Sequence, residues 1–239
     1  MKIRMNKKKR QVSGADDYLL TESSPFSVQE AYKALRTNVL FSLPGGKAKC
    51  IGVTSSMQSE GKSMNTVNLA LSFGQIEKRV LLVDCDMRLP TVATKLGLVG
   101  QPGLSDVLVG NSALEEAVQD SKQFGISVLP AGTIPPDPTR LLESEQMQEL
   151  LSRLREEYDY VLIDLPPITT VADASILAKY LDGFLLVVKH GQSQYRAIRS
   201  MMTQLQLANA NVLGFIYANA SVGGSKYYKS YYSYGSYGQ

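Results

Sequence analysis

Apolar residues follow two alternating patterns along the chain: short continuous runs, and stretches in which they recur every three or four residues. The continuous runs are typical of buried strands and lie at residues 50–53, 79–84, 126–130, 160–164, 183–189 and 212–217. Helical segments are predicted at residues 27–43, 65–73, 140–157, 173–181 and 194–207. Strands that alternate with helices predict an α/β fold, a doubly wound, mostly parallel sheet with helices on both faces.

The first predicted helix begins with a capping signature and carries charges along one side. Ser27 is followed three residues later by Glu30, which is the spacing of a capping box. Glu30, Lys33 and Arg36 recur every third residue, so they lie on one face of the helix. Taken alone, this spacing indicates ordinary charge pairing on an exposed helix.

The loop between the first strand and the next helix contains a phosphate-binding pattern. It reads Thr54-Ser55-Ser56-Met57-Gln58-Ser59-Glu60-Gly61-Lys62-Ser63. Backbone N–H groups at a helix start cradle phosphate oxygens, while the lysine reaches the β- and γ-phosphates and the serine ligates Mg²⁺. The full pattern G-x-x-x-x-G-K-[ST] is not met, because Ser56 stands at the first glycine. The strand–loop–helix context nevertheless predicts a P-loop nucleotide site.

Acidic residues end two of the predicted strands. Asp84 ends the run at 79–84, and Asp86 and Arg88 follow it closely. Asp164 ends the run at 160–164. Either strand end alone would indicate a helix cap or a turn former. Because open α/β sheets bind their ligands beyond the carboxyl ends of the strands, the acids together predict a Mg²⁺ site beside the loop.

Charge and cysteine content exclude several classes of protein. The net charge of the 239 residues is +3, and six basic residues lie within the first ten positions, so the rest of the chain carries −3. The body is therefore not that of a nucleic-acid-binding protein. The two cysteines, Cys50 and Cys85, lie in strand-like runs and indicate reduced thiols of a cytosolic protein. No run approaches the roughly 20 apolar residues that a membrane span needs.

Three regions are predicted. Residues 1–24 form a flexible basic segment, either a solvated tail or one attracted to an anionic membrane surface. Residues 25–222 form the nucleotide-binding domain. Residues 223–239 form a disordered tail that contains six of the thirteen tyrosines and no aliphatic side chain from Lys226 onward. A sticky tail, or stacking on single-stranded nucleic acid, is the alternative interpretation of these tyrosines.

Together these residues resemble a bacterial tyrosine kinase (BY-kinase) of the kind that controls capsular and exopolysaccharide synthesis. The resemblance extends from about Glu30 to the tail. It rests on five signals in order: Glu30-x-x-Lys33-x-x-Arg36, Gly61-Lys62-Ser63, Asp84-Cys85-Asp86-Met87-Arg88, Val161-Leu162-Ile163-Asp164-Leu165-Pro166-Pro167, and the tyrosine tail. It implies a variant of the Walker-type ATPase fold that uses ATP and Mg²⁺ to phosphorylate protein tyrosines.

The motifs and the resemblance together assign residues to the site. The catalytic residues are Lys62, Asp84, Asp86 and Arg88. The ATP-binding residues are Ser59, Glu60, Gly61, Lys62, Ser63, Met64 and Asn219. The metal ligands, direct or through water, are Ser63, Asp84 and Asp164. Asp86 is the first candidate for accepting the tyrosine hydroxyl proton, with Asp84 as the alternative. Arg88 would stabilise the transferred charge or brace the acids.

The resemblance also implies partners and a location. The protein would form a homo-oligomeric ring through Glu30, Lys33 and Arg36, and neighbouring subunits would phosphorylate the tail. The tyrosines concerned are Tyr227, Tyr228, Tyr231, Tyr232, Tyr234 and Tyr237. A separate transmembrane adaptor of the polysaccharide chain-length-determinant type would recruit the cytoplasmic kinase to the inner face of the membrane. A cognate tyrosine phosphatase would be a further partner, and nucleic acid would not be one.

The sequence departs from the family pattern at three places. Lys33 stands where the contact motif normally has arginine, Ser59 where the phosphate loop normally has glycine, and Ala218 precedes Asn219 where the family often has asparagine. Two other functions remain open. One is a partitioning ATPase of the Min/Par type, which would need a lysine where this chain has Met57. The other is a catalytically weakened adaptor.

Overall fold

The structure, a computed structural model, describes residues 18–43, 45 and 48–219. Its strands are β1 (Lys49–Ser55), β2 (Val80–Asp84), β3 (Gln119–Ser121), β4 (Ile126–Leu129), β5 (Tyr160–Asp164), β6 (Gly183–Lys189) and β7 (Val212–Ala218). They form one sheet in the order β3-β4-β2-β5-β1-β6-β7. Every pair is parallel except β3 with β4. The predicted α/β fold is confirmed, and the short edge strand β3 is an addition to it.

Helices cover both faces of the sheet. They are α1 (Phe26–Ser42), α2 (Lys62–Gly74), α3 (Val92–Lys95), α4 (Leu104–Leu108), α5 (Leu114–Ala117), α6 (Pro138–Leu142), α7 (Glu145–Glu157), α8 (Asp173–Leu177) and α9 (Tyr195–Leu207). The first three share one hydrophobic core with the sheet, and the other six share a second core on the opposite face. None of the described helices has the length and apolar content that crossing a bilayer requires.

Two predicted helices are interrupted in the structure. The segment 140–157 divides into α6 and α7, because the Ser144 hydroxyl accepts a hydrogen bond from the Met147 amide and begins a new helix. The segment 173–181 divides into α8 and a 3₁₀ helix, Ala178–Tyr180. Periodicity predicts the apolar faces of such segments, whereas a local cap decides where each helix begins.

The capping box predicted at Ser27 is wrong. Helix α1 begins at Phe26, Pro25 occupies the cap position, and no side chain caps the helix. The Gln29 side-chain amide instead donates to the backbone oxygens of Glu22 and Ser24, at 3.0 and 2.8 Å. These bonds fold the preceding chain back against the first turn, and α1 begins without the predicted side-chain cap.

The domain begins earlier than the predicted boundary at residue 25. Leu19 and Leu20 are buried in the core that α2 shares with the sheet. The Leu20 amide donates to the Asn68 side chain at 2.9 Å, and the Asn68 amide donates to the oxygen of Tyr18 at the same distance. Residues 18–24 therefore belong to the folded domain. Most of the predicted basic segment and the tyrosine tail lie outside the described residues.

The strand order brings the candidate residues to one edge of the sheet. In the pairing of β2 with β5, Asp84 lies directly opposite Asp164. Strand β1 lies on the other side of β5 and pairs Val53 with Asp164. Because these strands are parallel, the loop that leaves β1 begins beside both carboxylates. Parallel pairing alone therefore brings the acids next to the phosphate loop.

Candidate active site

The phosphate loop connects β1 to α2 and contains two residues with left-handed backbone. Gly61, at the cap position of α2, has φ 88°, and Ser59 has φ 64°. This region of φ favours glycine, because a Cβ atom crowds the following carbonyl there. Ser59 therefore has backbone strain of about 1 kcal/mol at the position where the family pattern has glycine.

Hydrogen bonds from outside hold the loop carbonyl groups in fixed directions. The Ser55 hydroxyl donates to the oxygen of Met57 at 2.8 Å, and the Thr169 hydroxyl donates to the oxygen of Ser56. The oxygens of Gln58 and Ser59 also accept hydrogen bonds, from side chains at and just after the end of β6. In a trans peptide the N–H points opposite to the C=O. The N–H groups that follow these carbonyls, on residues 57–60, therefore point away from the anchoring side chains. That of Met57 donates to Glu60, and those of residues 58–60 are directed as a phosphate cradle requires.

The Glu60 side chain folds into the loop and does not line the cavity beside it. Only 1% of Glu60 is exposed. Its carboxylate accepts hydrogen bonds from the Ser56 hydroxyl at 2.9 and 3.0 Å, from the Met57 amide at 2.8 Å, and from the Ser193 hydroxyl. The Glu60 carboxylate is occupied by hydrogen bonds that stabilise the loop. If Glu60 contacts the nucleotide as predicted, only its backbone N–H group is available to do so.

Lys62 lies among the predicted acids. Its Nζ is 2.8 Å from Asp164 Oδ1, 3.4 Å from Asp86 Oδ2 and 3.2 Å from Ser63 Oγ. Burial lowers the pKa of Lys62, but the carboxylates of Asp164, Asp86 and Asp84 outweigh it, so the pKa is raised. The ammonium group thus stays charged, and it balances one of three nearby negative charges.

Two of the acids carry raised pKa values because they are buried. Burial, with a further contribution from Asp164, raises the pKa of Asp84 to about 7. Asp84 accepts hydrogen bonds from the amides of Thr91 and Val92. Burial also raises the pKa of Asp86, and Lys62 opposes that rise. A buried group of three carboxylates with one lysine has an excess of negative charge and therefore favours a bound cation.

The donor set fits a magnesium ion. Asp164 is fully buried, yet its Oδ2 has no hydrogen-bond partner among the described residues. The carboxylates and the Ser63 hydroxyl offer the hard oxygen donors that Mg²⁺ prefers. In the part of the chain that the structure describes, no three acidic, histidine or cysteine side chains are grouped as a complete metal cage. Mg²⁺ suits such a site, because it takes few protein ligands and keeps several waters.

Arg88 lies apart from the predicted acids and contacts a second polar pair. Its Nη2 donates to the Thr139 hydroxyl at 3.0 Å, and its Nε lies 3.7 Å from Asp173 Oδ2. Thr139 in turn donates to the buried carboxylate of Asp173 at 2.8 Å. The suggestion that Arg88 braces the acids of the metal site is therefore wrong. Thr139 and Asp173 were missed because they come from separate helix starts, and only the fold brings them together.

A cavity of about 290 Å³ lies against the phosphate loop. Its lining includes most of the predicted nucleotide-binding residues and Asp86. The lining also contains Leu89, Thr91 and Lys95, which sequence patterns did not indicate, and Pro167 from the motif that ends β5. Asn219 ends the described chain with φ 55° and does not line this cavity. Its predicted role in base recognition stays a prediction.

Of the three residues in the predicted contact motif on α1, two lie at the surface and the third contacts another helix of the same chain. Glu30 and Lys33 are exposed and form an ion pair at 2.7 Å. Arg36 instead donates to the backbone oxygen of Ser72, and to its hydroxyl at 3.2 Å. Arg36 thus ties α1 to the last turn of α2 within the chain. The predicted tyrosine substrates lie outside the described residues.

Known proteins resemble this chain over most of its length. A family model described as an AAA domain matches residues 48–212. The tyrosine-protein kinase YwqD of Bacillus subtilis is 40% identical over 187 residues, which are 78% of this chain and 79% of that protein. The solved kinase domain of the Escherichia coli tyrosine kinase ETK superposes with a TM-score of 0.77 and 28% identity, covering 86% of each chain.

A more distant solved structure shares the fold and was determined with a nucleotide. It is the septum site-determining protein MinD from Pyrococcus horikoshii OT3, in complex with Mg-ADP. The TM-score is 0.62 at 25% identity, over 73% of this chain and 72% of that one. The α/β fold is thus common to both classes of protein, while the higher identity and coverage lie with the kinases. By these similarities the chain belongs to the bacterial tyrosine-protein kinases.

Proposed function

We propose that this protein is an ATP-dependent protein-tyrosine kinase that phosphorylates its own C-terminal tyrosines and regulates capsular or extracellular polysaccharide synthesis. The observation that carries the proposal is the position of Lys62 between Asp86 and Asp164, at the start of the helix that follows the phosphate loop. Phosphoryl transfer needs positioning and charge neutralisation, and this arrangement can supply both.

The nucleotide phosphates would bind to the loop amides and to the free N–H groups at the start of α2. Lys62 would exchange Asp164 for a phosphate oxygen, since Lys62 already lines the cavity. Ser63, Asp84 and Asp164 would hold Mg²⁺, directly or through water. The bound ion would neutralise phosphate charge, which agrees with the excess of carboxylates in the ligand-free site.

Asp86 is the residue that we propose receives the acceptor tyrosine. It lines the cavity, and the Leu89 amide fixes its Oδ1 at 3.2 Å, which leaves Oδ2 toward Lys62. The raised pKa of Asp86 narrows the gap to a tyrosine hydroxyl of pKa about 10. A carboxylate takes little of a phenol's proton early in a loose transition state, so the larger contribution of Asp86 would be to orient the hydroxyl.

Assembly and partners are part of the same proposal. A ring of subunits would bring the tail of one chain, including Tyr227 and Tyr237, to the site of the next. Of the predicted contact motif, Glu30 and Lys33 are available at the surface, while Arg36 would act mainly by holding α1 in place. The partners would be a separate transmembrane adaptor and a tyrosine phosphatase, and the kinase would work in the cytoplasm beneath the membrane.

Incubating the pure protein with ATP and Mg²⁺, followed by mass mapping of phosphotyrosine, tests the activity. We expect label on the tyrosines from Tyr227 to Tyr237 in the wild type and none in Lys62→Met. ATP hydrolysis without phosphotyrosine would indicate a partitioning ATPase instead. The absence of both ATP hydrolysis and phosphotyrosine would indicate a catalytically weakened adaptor.

A subunit-mixing experiment tests transfer between chains. Lys62→Met provides the tail without an active site, and an intact-site chain lacking residues 226–239 provides the site without the tail. Phosphate should appear on the Lys62→Met chain. If it never does, while the wild type is labelled, phosphorylation occurs within one subunit and the proposed ring transfer is wrong.

A further inference from the structure

Three side chains, one from the last residue of β6 and two from the segment between β6 and α9, contact the phosphate loop. Lys189 Nζ donates to the oxygen of Ser59 at 3.1 Å, and the Gln192 side chain donates to the oxygen of Gln58 at 3.2 Å. The Ser193 hydroxyl donates to the carboxylate of Glu60. These contacts join residues 130 to 134 positions apart, so only the folded sheet creates them.

The Ser193 hydroxyl is itself held in place. Its oxygen accepts a hydrogen bond from the Lys189 amide at 2.7 Å, so its single proton is directed to Glu60. Glu60 in turn holds the Ser56 hydroxyl and the Met57 amide at the opposite end of the loop. One short segment therefore fixes the loop at its middle and, through a buried carboxylate, at its beginning.

The contacts have a direct geometrical consequence for phosphate binding. Each carbonyl that is held outward turns the N–H of the same peptide to the other side. Lys189 holds the Ser59 carbonyl and so directs the N–H of Glu60 to the other side of that peptide. The left-handed φ of Ser59, 64°, would otherwise favour a different arrangement. A loop that is already fixed does not lose conformational freedom when the phosphates bind, so its affinity for them is higher.

We propose that Lys189, Gln192 and Ser193 are positioning residues for nucleotide binding, which hold the phosphate loop directly and through Glu60. The inference rests on the proposed function, because the ligand is taken to be the nucleotide of the kinase reaction. None of the three side chains needs to touch the nucleotide. Their removal weakens binding without changing the chemistry at Lys62 or Asp86.

Titration with a fluorescent ADP analogue and Mg²⁺, together with ATP-dependent phosphorylation kinetics, tests the proposal. We expect Ser193→Ala, Glu60→Gln and Lys189→Met each to raise the Kd about fivefold to tenfold, the usual effect of losing one intramolecular hydrogen bond. For Ser193→Ala and Lys189→Met the KM for ATP should rise in parallel, while kcat at saturating ATP stays within about twofold of the wild type. Ser193→Thr, which keeps the hydroxyl, should restore the affinity.

A double-mutant cycle separates positioning from general destabilisation. Because the Ser193 hydroxyl acts through Glu60, the Glu60→Gln/Ser193→Ala chain should lose no more affinity than the weaker-binding single variant. Ser152→Ala and Glu149→Gln, both exposed on α7, are the matched controls and should bind as the wild type does.

Strictly additive losses, or a lowered melting temperature with an unchanged Kd, would overturn the inference. ADP binding does not require tyrosine phosphorylation, so the two proposals fail separately. A wild type that binds ADP but labels no tyrosine contradicts the proposed function alone. A wild type that does not bind ADP contradicts both.

Discussion

At each end of the parallel strands an aspartate forms an ion pair with a basic side chain, but the two carboxylates differ in burial and in hydrogen bonding. Where the strands begin, Asp182 Oδ2 accepts hydrogen bonds from the Cys50 amide and from Arg155 Nη1, both at 2.7 Å, and it is partly exposed. Where the strands end, Asp164 is fully buried and one of its oxygens has no partner among the described residues.

This difference separates a structural ion pair from a functional one. Arg155 also donates to the backbone oxygens of Ala48 at 3.1 Å and Tyr180 at 2.8 Å. Both terminal nitrogens of its guanidinium group therefore form hydrogen bonds within the chain. At the other edge, Lys62 is shared among several acids, and the charges do not balance. An arrangement that is unfavourable without a ligand is common at sites where the ligand supplies the missing charge.

Substituting Lys62 should have the largest effect on the functional edge. We expect Lys62→Met to abolish phosphotyrosine and to lower the free energy of unfolding by about 3 kcal/mol in metal-free buffer, because the buried Asp164 loses the ammonium group that lies 2.8 Å from its Oδ1. Mg²⁺ should recover part of that stability. Phosphotyrosine mapping and urea unfolding with and without Mg²⁺ measure the two effects. Lys122→Met, exposed at the opposite edge, is the control, and undiminished labelling in Lys62→Met would contradict the site.

Substituting Arg155 should affect stability alone. Arg155→Ala removes the contacts with Ala48, Tyr180 and Asp182, and we expect a loss of about 1–3 kcal/mol in the free energy of unfolding. The Kd for ADP should remain that of the wild type, because the side chain lies at the far edge of the sheet. Urea unfolding and nucleotide titration on the same preparation test this. A change in Kd larger than about twofold would mean that the two edges are coupled.

The metal-free protein should become more stable between pH 8 and pH 6. The folded-state pKa of Asp84 is about 7, above its ordinary value, so the folded chain takes up a proton in this range and the unfolded chain does not. Stability therefore rises as the pH falls, by roughly 1 kcal/mol from this group. Urea unfolding at both pH values in the presence of a chelator measures the rise. The same pH dependence in Asp84→Ala would show that another group causes it.

Relieving the strain at Ser59 should have the smallest effect. We expect Ser59→Gly to raise the free energy of unfolding by about 0.5–1 kcal/mol, because glycine adopts a φ of 64° freely, and to keep or improve ADP affinity. Asn209→Gly is the matched control at the other edge, where Asn209 has φ 52° just before β7. Asparagine tolerates this conformation, so its gain should be smaller. Weaker ADP binding in Ser59→Gly would mean that the serine has a role of its own.

The sheet and the centre of the site could be predicted from the sequence because both depend on short-range patterns. Apolar runs that end in Asp84 and Asp164, beside a Gly61-Lys62-Ser63 helix start, are sufficient once the strands are taken as parallel. Parallel pairing then places strand ends together without knowledge of any side-chain contact. The same patterns predicted six of the strands.

The remaining features could not be predicted because they depend on contacts between distant segments. The packing of Leu19 on α2, the bond from Thr139 to Asp173 and the inward turn of Glu60 each join residues whose separation in sequence carries no signal. Ser27 shows the opposite failure. A local capping pattern was present, but α1 already begins at Phe26, so Ser27 lies inside the helix and cannot cap it.

The dependence of the phosphate loop on Lys189 limits how far the loop can be treated as a portable sequence motif. A transplanted segment 49–74 would lack the distant donors that hold its carbonyls, and we expect it to bind phosphate poorly. Natural variation at residue 59 should then depend on residue 189, with non-glycine residues accumulating only where a donor remains at 189. A search by consensus alone would discard such chains, although a side chain more than a hundred positions away holds the carbonyl group of the residue that replaces the glycine.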